Sequence, residues 1–405
     1  MAAQTSVAET RYSPLYFLSS VGAGGLAVTF FIYLMFWVPH PGQPVPVFED
    51  IASAFATGGA PLQFAIAVAL AGIAWFAWKN LSGLVWNLRR LKQFRASEAG
   101  QAHANTNAAT QLMAMPLALA MSINVAFILG LVFVPGLWSI VEYLFPLALI
   151  AFLAVGVLAF RQLGGFLGRV LSGGGGFDCK ANNSFAQLLP AFTLSMIGVG
   201  LAAPGAMSAT PTIAGISVVL SGFFLVASLT IAAIAMVLGI RSMMENGVAL
   251  EAAPTLLIIL PLVTVLSILL MRQWHGLHVH FDGHTNAADT LVFLSRMVSL
   301  QLVFALFGLT VLARIGYWKS FVFGQGTSAG SYALVCPGVA FSVLMHFWIN
   351  KGLVAAGLIA KFGPAYWGFT AIAVAAQLVM IVLVIRLNKQ NFGRSSSEMA
   401  GVAAE

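Results

Sequence analysis

Long apolar runs, separated by short polar stretches, set the pattern of the chain. An α-helix rising 1.5 Å per residue needs about 20 residues to cross roughly 30 Å of hydrocarbon. Runs of that length fall at about 15–37, 62–82, 110–134, 138–160, 184–205, 211–240, 253–271, 289–312, 328–350 and 365–386. None shows the period-two alternation over ~10 residues that marks a membrane β-barrel strand. The pattern predicts an all-α polytopic membrane protein with about ten transmembrane helices. It divides into a short N-terminus (1–14), a membrane domain (15–390) and a Ser- and Ala-rich tail (391–405) expected to be disordered.

Composition narrows the class. Hydrophobic residues make up 60% of the 405 positions and charged residues only 8%, with a mean hydropathy of +0.93. A soluble domain carries about a quarter charged residues, so a soluble enzyme is excluded, as are a disordered chain and collagen. Cys179 and Cys336 are too few for a disulfide framework or a thiolate metal cluster. The N-terminus lacks the charged, apolar and small-residue succession of a cleaved signal.

The net charge of +7 would suggest nucleic acid in a soluble chain, but here its placement reports topology. Arg89, Arg90, Lys92 and Arg95 follow span 2, and Arg161, Arg169 and Lys180 follow span 4. Arg11, Arg241, Arg314, Lys319, Arg386, Lys389 and Arg394 belong to the same side, against Arg272, Lys351 and Lys361 on the other. The positive-inside rule then predicts a multi-pass inner (plasma) membrane protein with both termini cytoplasmic.

Odd-numbered spans share a proline followed five or six residues later by serine: Pro14 with Ser19 and Ser20, Pro116 with Ser122, Pro190 with Ser195, Pro261 with Ser267, and Pro337 with Ser342. Of the even spans only span 6 has such a pair, Pro211 with Ser217, so the unit is read as a helical hairpin repeated five times. Proline inside a helix removes a hydrogen bond and bends it, which a bilayer tolerates only where the freed carbonyl finds protein or a cavity. Kinked, hydroxyl-bearing odd helices are therefore expected inside, surrounding a central path lined by these serines and prolines. Smooth even helices are expected outside.

The stretches Tyr12-Ser13-Pro14 to Gly25, Ala253-Pro254-Thr255-Leu256 and Tyr332-Ala333-Leu334-Val335-Cys336-Pro337 resemble the first, seventh and ninth helices of the tellurite-resistance/dicarboxylate transporter family, which includes slow-type anion channels. The resemblance implies a homotrimer whose protomers each hold a central pore formed by the odd helices, passing small inorganic or organic anions. It also implies a gate: in the family a phenylalanine immediately before the position of Pro337 plugs the pore. Here that position is Cys336. Phe341 sits about 140° around the helix from it, and Phe17, Tyr332 or a kink-shifted Phe341 are alternative plugs.

The inner spans, bounded as above, hold hydroxyls and amides but no charged residue, a set that gives weak hydrogen bonds to an anion without trapping it. Arg296 is an intramembrane charge on even span 8, expected to pair with Glu142 or a carbonyl or to snorkel outward. The segment from His275 to His284, read as an outer loop, gathers four histidines and Asp282. Its spacing departs by one residue from a dinuclear metal motif, and a solvated, pH-sensitive loop is the stronger expectation. No arrangement suited to catalysis, no cofactor motif and no nucleic-acid signature is present, so no enzyme is expected.

A channel or facilitative anion permease is the leading expectation. A gradient-coupled exporter of sulfite, tellurite-like oxyanions or dicarboxylates is its near rival. A redox anchor holding haem or quinol is the distant one, which would need facing histidines, whereas His346 is alone within the spans. From the charge asymmetry, a membrane-impermeant thiol reagent should miss Cys179 in intact cells and label it after permeabilisation. Labelling in intact cells would reverse the orientation.

Overall fold

The computed structural model describes residues 12–173 and 177–392. Most of the N-terminus, the glycines from 174 to 176 and the tail from 393 onward lie outside those residues. The fold is all-α, and among the described residues ten apolar segments are long enough to cross a membrane. They are α1 (Pro14–Trp37), α2 (Ala60–Ala96), α3 (Asn107–Phe133), α4 (Leu137–Leu171), α5 (Ala186–Met207), α6 (Pro211–Asn246), α7 (Ala253–His280), α8 (Ala287–Arg314), α9 (Ala329–Val354) and α10 (Pro364–Phe392).

Burial separates them into two sets. In the apolar stretch of each odd-numbered span 56–83% of residues are buried, against 22–39% in the even-numbered ones. The odd spans close on one another: α1 packs on α3, α3 on α5, α5 on α7, α7 on α9 and α9 back on α1. The even spans pack against the outside of this ring and expose rows of large apolar side chains, such as Phe64, Trp75 and Trp78 on α2 and Val219, Phe223 and Val226 on α6. Apolar surface on this scale belongs in lipid.

Several segments read as loops are helical. The helix of α2 continues to Ala96, that of α4 to Leu171 and that of α7 to His280. The arginines that follow spans 2 and 4 therefore ride on helix ends, and the 38–61 connection contains a further helix, Phe48–Thr57. Its start is capped by the Asp50 carboxylate, which accepts the Val47 N–H at 3.1 Å.

The odd-span prolines sit at helix starts instead of kinking helix interiors. Each odd span opens with a 3₁₀ turn: Pro14–Tyr16, Asn107–Met113, Ala186–Leu188, Ala253–Leu257 and Ala329–Leu334. Pro116, Pro190, Pro261 and Pro337 then fall in the first turn of the α-helical part. A first-turn N–H has no partner within its own α-helix, so proline is accommodated there without a break. The proline that does lie inside a helix is Pro146 of α4.

Ring closure depends on small residues and on polar side chains reaching in from the even spans. A Cβ at Gly22 or Gly25 would come within 2.8 Å of Val335 or Val339, so glycine there lets α9 seat against α1. Buried Asn80 of α2 joins α1 to α3: its Nδ2 donates to the Ser20 carbonyl at 2.8 Å, and its Oδ1 accepts the Ser122 hydroxyl at 2.9 Å. Ser228 of α6 donates to the Ala191 carbonyl and Gln301 of α8 to the Leu260 carbonyl, each beside an odd-span proline. A buried polar group left unpaired costs about 1–3 kcal/mol. Asn80→Leu should therefore destabilise the protein by about that amount in detergent-induced unfolding; a loss under about 0.5 kcal/mol would show that the junction is dispensable.

Candidate functional site: a cavity inside the helix ring

All five odd spans contribute to one cavity of about 660 Å³. Its deep end is bounded by Gly22, Met121, Phe192, Pro261 and Cys336, one from each odd span. None of the 3₁₀ turns that open the odd spans lines it, so the cavity stops short of the end where those helices begin. The mouth lies at the opposite end, among His40 and Val45 of the first connection, Trp138, Met207, Thr285 and Lys351.

The serines do not line this space. Ser20 and Ser122 are taken by Asn80, and Ser19, Ser195 and Ser267 donate to the carbonyls of Tyr16, Phe192 and Val263 at 2.7–2.8 Å. Ser342 is buried, off the cavity and without a hydrogen-bond partner. The reason is local: a helical hydroxyl reaches a carbonyl three or four residues back, and in hydrocarbon that bond outcompetes an empty path. Of the prolines, Pro261 lines the cavity, whereas Pro116, Pro190 and Pro337 do not. Cys336 lines it, and Phe341 is half-buried elsewhere.

Arg296 is exposed on the outer face of α8, in a shallow groove with Ser295, Ser299, Leu353 and Leu358. Glu142 is not its partner. That carboxylate accepts the Ser208 hydroxyl and the Ala209 N–H, both at 2.7 Å. His346 is buried off the cavity, with its ring edge-on to Tyr33 at 5.4 Å and not facing a second histidine.

Sequence reasoning misplaced Lys351, one residue past its span 9 but inside α9, and, more consequentially, Arg272. Ending span 7 at residue 271 put it in an outer loop, but α7 runs on to His280, so an inner span carries a full charge. The Arg272 side chain is half-buried in the cavity wall, and its Nη1 donates to the Val199 carbonyl of α5 at 2.6 Å. The signal was present in the sequence. Thr264, Ile268, Met271, Arg272, His275 and His278 continue one helical face at spacings of three and four, and all six line the cavity.

The histidine-rich segment is accordingly a helix end followed by a turn, not a loop. His275 and His278 lie at the mouth. The His278 Nδ1 is 2.8 Å from the Gly283 carbonyl, and the His280 Nε2 is 2.9 Å from the Ser208 carbonyl. Among the described residues no three His, Cys, Asp or Glu side chains gather as a metal ligand set.

The lining is therefore chemically lopsided. Arg272 and Lys351, with His40, His275 and His278, surround its outer part, and among the described residues no carboxylate lines it. Deeper, the wall is Val, Ile, Met and Phe. Its polar members there are already engaged: the Asn124 amide donates to the Ala120 carbonyl at 3.0 Å. The Thr264 hydroxyl donates to the Ala340 carbonyl and accepts from Gln301. A cationic entrance above an apolar chamber concentrates anions at the mouth.

Comparison with protein-family models, curated proteins and solved structures finds no match to this chain. Its helix count and burial pattern establish a polytopic helical membrane protein of a kind that transporters and channels use. In detergent, a small thiol reagent should modify Cys336, read by peptide mapping. It should spare a cysteine placed at Ser342, fully buried off the cavity, in a Cys336→Ser background. Equal modification of both positions would contradict this lining.

Proposed function

We propose that the chain is a facilitative permease or channel for small anions, with the ring of odd spans as its conducting path and five helical hairpins as its repeating unit. The observation that carries this reading is the cavity mouth, which gathers Arg272, Lys351 and three histidines and has no carboxylate. The arginines at the opposite end support a cytoplasmic position for both termini. A homotrimer with one pore per protomer is the assembly that the resemblance implies. Transport, with no chemistry done on the solute, is the activity proposed.

Arg272 bears on the choice between channel and permease. Conduction needs binding strong enough to admit an ion and weak enough to release it. A guanidinium half-withdrawn from water holds an anion more firmly than hydroxyls do, because the effective dielectric around it is lower. That favours the slower, binding-limited traffic of a permease over an open channel. The closed end is the proposed gate, with Cys336 at its edge in place of a large aromatic ring.

The test is reconstitution in liposomes with nitrate, chloride, sulfite, malate and an aromatic sulfonate. The wild type should pass at least one of these anions down its gradient. Cys336→Phe should lower that flux while leaving the fold intact. A wild type that passes none overturns the anion reading; unchanged flux in the variant removes Cys336 from the gate.

A further inference from the structure

We propose that the solute fitted to this cavity is an organic monoanion, with one carboxylate or sulfonate held by Arg272 and a compact apolar body in the chamber beneath. The inference rests on the anion-transport reading above and specifies its substrate class.

Charge gives way to apolar wall part-way down α7. Arg272 stands eleven residues above Pro261 on that helix, about 16 Å at 1.5 Å per residue. Between those levels the chamber is bounded by side chains such as Val265, Ile268, Met196, Val339 and Val343, and no cation lies among them. The amide of Asn124 and the hydroxyl of Thr264 are occupied by backbone carbonyls. Arg272 is thus the cation in contact with the apolar chamber, while His275, His278 and Lys351 lie further out.

Its guanidinium has five N–H donors in a planar fork, and the Val199 carbonyl takes one. That bond ties the side chain to α5 and leaves donors for the two oxygens of a carboxylate or sulfonate. The body of the solute, beyond its headgroup, must match the wall below. An inorganic anion would fill a small part of about 660 Å³ and leave the apolar lining without a partner. A volume in this range suits a ligand with a hydrocarbon body. A dicarboxylate would push its second charge into a region with no cation and, beyond one Asn124 N–H near the Met196 sulfur and the Cys336 thiol, no donor to spare, where a weakly paired charge is strongly disfavoured. The chamber therefore selects against dianions as well as against very small ions.

The full chain in lipid nanodiscs would be titrated with methanesulfonate, benzenesulfonate and benzene-1,3-disulfonate at pH 8 and fixed ionic strength. These probes keep one headgroup while changing the body or doubling the charge. Benzenesulfonate should bind at least tenfold more tightly than either of the others. Arg272→Gln should lower its affinity at least tenfold, and Arg272→Lys should lower it less, since that variant keeps the charge and loses the fork. Comparable affinity for all three probes, tighter binding of the disulfonate, or undiminished binding by Arg272→Gln would overturn the proposal. Should the glutamine variant fail to fold, the wild-type series decides alone. A wild type that passes nitrate or chloride in liposomes yet shows no preference among the probes retains the anion reading and removes this inference; one with neither flux nor binding removes both.

Discussion

Helices already inside a bilayer gain nothing from leaving water, so their association rests on close approach and on hydrogen bonds between them. Most of this structure derives from that constraint. Gly22 and Gly25 bring α9 against α1. Asn80, Ser228 and Gln301 reach from even spans to carbonyls of odd ones, beside the prolines in two of the three cases. The hydroxyls of the inner ring go the same way. Each of Ser20, Ser122, Ser195 and Ser267 is bonded to backbone or to a neighbouring helix.

A chamber enclosed by such a ring is left apolar, because the polar groups within reach are already used for assembly. Arg272 escapes this rule for a chemical reason. A hydroxyl has one proton to give, and a single carbonyl exhausts it, whereas a guanidinium gives one N–H to Val199 and keeps the rest. Charge next to the apolar chamber thus comes from a side chain with more donors than one assembly contact can use up.

The architecture was legible in the sequence because it is written in long-range features. Ten apolar runs and a Pro/Ser pair in every odd span correspond to ten helices and a buried odd set. Helix ends were not legible, since α2, α4 and α7 continue well past their apolar stretches as charged or histidine-bearing helix. The Pro/Ser pattern marks the inner spans, but the physical reason is neither a kink nor a polar lining. Its prolines sit in or just after the 3₁₀ turns that open the helices, and its serines, Ser342 apart, bond to carbonyls or to a neighbouring helix. Hydropathy placed Arg272 outside by a single residue, where helical periodicity would have kept it on the face of Ile268 and His275.

The two ends of the ring carry their positive charge differently. At the arginine-rich end the cations ride on extended outer helices, where Arg169 of α4 and Arg386 of α10 cap the carbonyls of Ala104 and Val322. At the mouth they belong to the inner spans and the connections that line the cavity. Charge on outer helices can shape the field around an opening without touching a solute, and it is screened by salt within about 10 Å. Charge on the inner wall meets the solute directly and is screened far less. On the proposed anion reading, affinity resides at the mouth, and an anion moving inward leaves Arg272 for a stretch with no second cation. Passage through that stretch costs least for a solute whose own apolar surface replaces the missing polar partners, so the wall chemistry that makes the chamber hostile to a bare ion makes it hospitable to an amphipathic one.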